Sequence, residues 1–320
     1  MLFVAFCHGS IDLIRGDEMV LKDAIGNTPT VRLRNVERWL GGEAQIFAKL
    51  EMMNPGGSIK DRAALAMLQK EIKDGRLRKG GKIVSATSGN FGISLAMLST
   101  THGYNTTVVM PESASEERRS LVKAYGARLI VPNQGGMSEA VSVAKEIADK
   151  EGAIYLDQFV NPESIRCHYN GTGRELWVDM QSKLDIFLSG VGTGGTLCGV
   201  ASFLKEQKNT IMIYAVEPSE SPTLSGGKPS SHGIEGIGAD FIPPLYSPEI
   251  VDSVVRVSTD EAKDAARTLA RLEGIFAGIS SGASLAAIKR LVTDGIILKE
   301  RVAFVIADGG ERYFSRGIID

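Results

Sequence analysis

Short runs of β-branched and aliphatic residues alternate with longer stretches of helical periodicity along most of the chain. That alternation restricts the fold more than any other feature. Strand candidates are 45–50 (QIFAKL), 82–86 (KIVSA), 106–110 (TTVVM), 128–132 (RLIVP), 153–156 (AIYL), 185–190 (DIFLSG), 211–216 (IMIYAV) and 302–306 (VAFVI). Amphipathic stretches at 61–74, 115–125, 137–150 and 259–273 lie between them. The last opens on Ser258-x-x-Glu261, a reciprocal capping pattern, and stops at Gly274; Gly75 and Gly152 end two others. The expectation is an α/β protein with mostly parallel sheets, whose ligands sit at the carboxyl ends of the strands. Residues 218–248 lack regular pattern and are rich in Gly, Pro and Ser, so they read as a long functional loop.

Composition excludes several function classes. A formal net charge of −2 leaves no basic footprint for nucleic acid or an anionic membrane surface. Cys7, Cys167 and Cys198 are too far apart for a CxxC pair and odd in number, which fits a reducing, cytoplasmic setting. His8, His102, His168 and His232 are scattered without metal-ligand spacing, so no metal site is expected. The apolar opening MLFVAFCHGS lacks a basic start and a small-residue cleavage site, and reads as an extension rather than a signal peptide; Met19 offers an alternative start. Residues 186–204 carry no charge, but their glycines and hydroxyls suit a strand–loop–helix better than a membrane span. A length of 320 residues suggests about two domains.

Glycine is in excess, 36 residues or about 11% against a usual ~7%, and the surplus concentrates in turns between strands and helices. In NPGGSIKDR, 54–62, a helix starts near Ser58 or Lys60. A lysine in a first helical turn faces the positive end of the macrodipole, which disfavours its protonated form and suits a nucleophile. On its own an exposed surface lysine explains Lys60 as well. In SATSGNFGIS, 85–94, Thr87, Ser88, Gly89 and Asn90 gather hydroxyl, amide and backbone donors at a helix start, an anion cradle containing no cation. In GVGTGGT, 190–196, Gly190, Gly192 and Gly195 satisfy G-x-G-x-x-G, and Glu217 follows the next strand. That spacing supports a dinucleotide fold, while Thr193 and Thr196 serve a single phosphate equally well. In EGIFAGISSGAS, 273–284, Gly278, Ser280, Ser281 and Gly282 open a further helix with no charge before Lys289. A dehydrogenase has no use for two anion cradles, an activated lysine and a neutral hydroxyl turn together. A phosphorylated, aldehyde-bearing cofactor does.

The set KLEMMNPGGSIKDR, TSGNFGI, GVGTGGTLCGV, EGIGADFIP, GIFAGISSGAS and GERYFS, in this order from Asp23 to Gly317, resembles the cysteine synthase and cystathionine β-synthase family of fold-type II pyridoxal-phosphate enzymes. The resemblance implies two three-layer αβα domains with mostly parallel twisted sheets, like the tryptophan synthase β-subunit. Residues 1–18 would be an extension, 19–50 plus 159–320 a large cofactor-binding domain, and 51–158 a small mobile domain. It implies that Lys60 binds pyridoxal 5'-phosphate as a Schiff base and shuttles the α-proton. Gly192, Thr193, Gly194, Gly195 and Thr196 would hold the phosphate, Asn90 the ring oxygen, and Ser280 the pyridine nitrogen. Thr87, Ser88, Gly89, Asn90, Phe91 and Gln158 would grip the substrate carboxylate, with Gly236 and Asp240 at the mouth.

The implied reaction is β-replacement on an O-activated L-serine, foremost O-acetylserine with sulfide. The family members are cytosolic homodimers that act on small amino acids, and a serine acetyltransferase is a possible partner. Three departures bear on the substrates. Phe91 stands where Thr is usual, Gly171 and Arg174 stand where many cysteine synthases have Thr and Pro, and Asp240 replaces a small residue, as in the cystathionine-forming branch. Phosphoserine as donor, an amino acid as acceptor, a dehydrogenase reading of 190–217, and a non-catalytic homologue are the alternatives.

Overall fold

The structure is a computed structural model that describes residues 20–133 and 136–319. The expected extension at 1–18 and the alternative start at Met19 lie outside those residues. Among the described residues, ten strands form two sheets: β1 (Thr30–Arg32), β2 (Gln45–Leu50), β3 (Lys82–Ala86), β4 (Asn105–Val109), β5 (Arg128–Ile130), β6 (Ile154–Tyr155), β7 (Ile186–Gly190), β8 (Met212–Pro218), β9 (Ser253–Val257) and β10 (Arg301–Ile306). The larger sheet has the order β1-β2-β10-β7-β8-β9, and the smaller β5-β4-β3-β6. Every pairing is parallel except that of β1 with β2. Parallel strands need crossover helices, so both faces of each sheet are covered and the strands read as unbroken apolar runs. β10, RVAFVI, lies between β2 and β7 with five of its six residues buried.

The α-helices are α1 (Arg34–Trp39), α2 (Lys60–Lys73), α3 (Asn90–His102), α4 (Glu116–Ala124), α5 (Gly136–Glu151), α6 (Glu163–Cys167), α7 (Arg174–Asp179), α8 (Gly195–Gln207), α9 (Thr259–Glu273) and α10 (Ile279–Thr293). α9 buries Ala262, Ala265, Ala266 and Leu269, one stripe at i, i+3, i+4 and i+7. Its N-terminus carries the expected box: Ser258 Oγ accepts from Glu261 N, and Glu261 returns a bond to Ser258 N. α10 is buried nearly all round because α9 covers it from outside.

Two edge strands escaped the sequence reading. β1 has three residues, too few to show a period, and β9 (SVVRV) has one mostly exposed face. Residues 219–247 contain no helix or strand, as expected, and are held by polar contacts. Glu217 is fully buried and accepts from Leu224 N (2.8 Å) and Ser225 Oγ (2.5 Å). That carboxylate anchors the loop, which removes the ribose-binding role that a dinucleotide site would give it.

α9 and α10 touch at Gly282, where a Cβ would stand 2.1 Å from the Ala262 carbonyl oxygen and 2.7 Å from Ala266 N. Both are backbone atoms of a packed helix and yield little. Gly282→Ala should therefore cost about 1–3 kcal/mol, as overpacking does. Gly152→Ala, at a left-handed turn with no atom nearby, should cost only about 1 kcal/mol. Urea midpoints of the two variants measure the difference, and equal midpoints would contradict this close approach.

Candidate active site

Four helices begin at one cavity. It opens at the carboxyl ends of β7 and β10, and the first turns of α2, α3, α8 and α10 supply Lys60, Asn90, Thr196 and Ser280 to its wall. Residues that sequence alone scattered over 220 positions meet there. The N-cap positions of α3, α8 and α10 are Gly89, Gly194 and Gly278, which have no side chain to accept from the first-turn N–H groups. α9, which starts elsewhere, is fully capped. A helix start left without a cap exposes donors and the positive end of the macrodipole to whatever fills the cavity.

The β7–α8 turn can only be glycine-rich. A Cβ on Gly192 would lie 2.2 Å from the Gly236 carbonyl oxygen. Gly194 has φ +88° and would press on Tyr246 N at 2.8 Å. Gly195 packs behind the wall, where a Cβ would meet Ser164 Oγ at 2.5 Å. The bare backbone at 192–196 thus faces the cavity beside the Thr193 and Thr196 hydroxyls. Behind Thr196, His168 bridges Thr172 Oγ1 at Nδ1 (2.9 Å) and Thr196 Oγ1 at Nε2 (3.2 Å). Burial drives its pKa well below the ordinary imidazole value, so the ring is neutral, with one donor and one acceptor nitrogen. It sits in a π-helical stretch, His168–Gly173, between α6 and α7. The sequence reading took His168 as incidental, since its threonine partners leave no motif.

Lys60 is the only cation among the lining residues. Its exposure is partial, but the surface it keeps faces the cavity, and desolvation lowers its pKa from the usual lysine value. The charge of Asp308 opposes that shift. Burial pushes the neighbouring Cys167 thiol up to about 12, so it brings no negative charge near neutrality. Asp61 pins the turn before Lys60, accepting from Gly56 N and Ser94 Oγ, each at 2.5 Å. Arg62 anchors the helix by two forked pairs: Nε and Nη2 to Glu51 (both 2.7 Å), Nη1 and Nη2 to Glu175 (2.7 and 2.6 Å). Burial opposes ionisation of Glu175, yet Arg62 and Lys49 outweigh it and hold its pKa down at about 2.

Asn90, the first residue of α3, donates from Nδ2 to Asp308 Oδ2 and accepts at Oδ1 from Arg312 Nη1, each at 2.6 Å. Thr87 is buried and Ser88 exposed in the turn before it, and Thr87 Oγ1 accepts from Gly89 N. Phe91 follows Asn90 on α3. Its side chain is 1% exposed and packs with Leu95, Leu98 and Leu156, so only its backbone N–H is left for a carboxylate. Gln158 is buried at the end of the β6 segment. Gly236 lines the cavity with φ +96°, whereas Asp240 is exposed and does not. The loop beside Asp240 nonetheless reaches the Gln158 turn, because the Phe241 ring meets Phe159 edge-on at 5.4 Å. Arg174 is exposed on α7 over the Phe203 ring and is not a lining residue. Asp308, Arg312, Tyr313 and Arg118 went unseen in the sequence, although the last motif, GERYFS, contains two of them.

A desolvated amine, a glycine cradle without a cation, and a hydroxyl at the start of α10 fit a phosphorylated pyridine aldehyde. Comparison with known proteins agrees. The family profile "Pyridoxal-phosphate dependent enzyme" matches residues 21–308. A curated relative, cysteine synthase of Staphylococcus aureus, is 46% identical over 294 residues, 91% of this chain and 94% of its own. O-acetyl serine sulfhydrylase isoform 3 from Entamoeba histolytica superposes with a TM-score of 0.89 at 36% identity, over 96% of this chain and 92% of that one. O-ureido-L-serine synthase superposes with a TM-score of 0.89 at 37% identity, over 94% and 95%. With its cavity, its lysine and its fold all in agreement, the chain belongs to the pyridoxal-phosphate dependent enzymes.

Proposed function

We propose that this enzyme is a cysteine synthase, replacing the β-substituent of O-acetyl-L-serine with sulfide. The observation that carries this reading is the Lys60 amine set between the α8 turn, where no cation lines the cavity, and the donor-rich 87–90 turn. Pyridoxal phosphate, when bound, supplies an aldehyde for amines and a conjugated ring that accepts the electron pair left at the α-carbon. The backbone of 192–196 and the Thr193 and Thr196 hydroxyls hold the phosphate. Asn90 and Ser280 hold the ring by its oxygen and nitrogen. Ser280 is neutral and would not keep the pyridine nitrogen protonated, which favours prompt β-elimination over transamination. Lys60 Nζ takes the α-proton and returns it. Thr87, Ser88, Gly89 and Gln158, with the Phe91 N–H, seat the substrate carboxylate.

In the same reading, 51–158 is a small mobile domain that closes over 19–50 plus 159–320 and excludes water. The two sheets support that division, since all strands of the four-stranded sheet lie between residues 82 and 155. The enzyme would act as a cytoplasmic homodimer, with a serine acetyltransferase as the partner that supplies its donor.

An acetyl ester needs no cation, whereas a phosphate leaving group is a dianion that calls for one. Arg174 lies outside the cavity wall and over Phe203, which supports O-acetylserine as the donor. Single-turnover absorbance should show O-acetylserine consumed faster than O-phosphoserine, with Arg174→Ala leaving both rates within about twofold. A preference for O-phosphoserine that disappears in Arg174→Ala would reverse the donor assignment.

Asp240 favours a second acceptor, an amino-acid nucleophile such as homocysteine. Its carboxylate would repel hydrosulfide and attract an ammonium group, and the contact of Phe241 with Phe159 brings its loop against the Gln158 turn. The charge is exposed, so the expected effect is about fivefold, the scale of a surface pair. Asp240→Gly should raise kcat/KM for sulfide and lower it for homocysteine. Parallel changes, or none, would leave sulfide as the acceptor and Asp240 as an ordinary loop residue.

A further inference from the structure

Asn90 is held from both sides by full charges. Its carbonyl oxygen accepts a hydrogen bond from the Arg312 guanidinium, and its amide nitrogen donates one to the Asp308 carboxylate, each at 2.6 Å. Asparagine oxygen and nitrogen are alike in shape, so their placement follows from the partners. Rotating the amide by half a turn would set its NH2 against a guanidinium and its carbonyl against a carboxylate. Two charge-assisted bonds would become two repulsions. The pair therefore admits one orientation, and the second Nδ2 hydrogen is the donor the amide has left to offer the cavity.

Both clamping groups are themselves fixed. Arg312 is 5% exposed and also donates to the Gly56 carbonyl, in the turn before Lys60. Gly57 has no side chain because a Cβ there would stand 2.2 Å from Arg312 Nη2. Asp308 is 1% exposed, and its Oδ2 accepts a second bond from Tyr313 Oη at 2.6 Å. Tyr313 Oη in turn accepts from Arg118 Nη2 at 2.8 Å, and Arg118 pairs with Glu235 of the 235–243 loop. The other oxygen, Oδ1, is buried without a hydrogen-bond partner against Gly278, where a Cβ would come within 1.9 Å. Asn90 and Gly56 belong to one side of the cavity, Asp308 and Arg312 to the other, so the clamp is complete only with the two sides together.

We propose that Asp308 and Arg312 are positioning residues that hold the Asn90 amide with N–H, not carbonyl, toward the ring oxygen of the cofactor. A donor there favours the oxyanion form of the ring over the hydroxyl form. This rests on the reading of Asn90 as the ring-oxygen ligand. The carboxylate thus acts on the ring oxygen of the cofactor through Asn90.

Absorbance of the bound cofactor tests the proposal, because the ring-oxyanion form absorbs at longer wavelength than the ring-hydroxyl form. Wild type, Asp308→Asn, Asp308→Ala, Asn90→Ala and the double variant Asn90→Ala/Asp308→Ala are reconstituted with pyridoxal phosphate, and attachment to Lys60 is confirmed by mass. The ratio of long- to short-wavelength absorbance should fall about tenfold in Asp308→Ala and in Asn90→Ala, the scale of one lost hydrogen bond to a charged group. It should fall no further in the double variant, since both act through one amide. Asp308→Asn preserves the packing and should give an intermediate ratio, and it carries the test if the alanine variant does not fold. An unchanged ratio in Asp308→Asn or Asp308→Ala, or additive losses in the double variant, would overturn the proposal. Failure of wild type itself to attach the cofactor at Lys60 would instead overturn the reading of the site on which it rests.

Discussion

Three helix starts without a capping side chain, at Gly89, Gly194 and Gly278, are the constraint on which the rest of the structure depends. A donor left unsatisfied on burial costs on the order of 1–3 kcal/mol, and three uncapped helix starts converge here. An anionic ligand removes that cost and gains from the macrodipoles as well. Side chains on the glycines would satisfy or block the donors, so the turns have none. Backbone groups at these turns can carry the binding of an anion, which leaves Lys60, the only cation among the described lining residues, to serve as an amine.

Holding a desolvated lysine in such a place requires a rigid frame. Arg62, two residues on, is locked between Glu51 and Glu175, and Lys49 adds a second cation 3.0 Å from Glu175. Removing one member of such a network leaves an uncompensated buried charge, typically costing 3–5 kcal/mol, so its members tolerate little displacement. Asp61 fixes the turn on the other side of Lys60 by holding Gly56 N and Ser94 Oγ. The run Lys60-Asp61-Arg62 thus places a working group beside two anchors. The Asp308–Arg312 clamp extends the same logic across the cavity to Asn90.

Much of this was legible in the sequence because it is local. The β7–α8 turn, the start of α2 and the Ser280 turn each need particular residues within a few positions, and those residues stand together in the chain. The clamp was not legible, since Arg312 meets Asn90 over a separation of 222 residues and Tyr313 meets Arg118 over 195. Neither pair has a spacing rule. His168 was missed for a related reason, as its second threonine lies 28 positions away and its π-helical setting has no periodic signal. The Phe91 side chain enters the core because residues adjacent in a helix point about 100° apart, which no local motif records. β1 and β9 were lost at the sheet edges, where three residues or a half-exposed pattern carry too little information.

The central claim is that the α2 start makes Lys60 the amine that carries the cofactor. Reduction of the reconstituted enzyme with borohydride, followed by proteolysis and mass mapping, tests it most directly. The account predicts one pyridoxyl-phosphate adduct, on the peptide containing Lys60, and none in Lys60→Ala although the phosphate end of the cofactor still binds. An adduct on another lysine in wild type, or an unchanged adduct in Lys60→Ala, would contradict it.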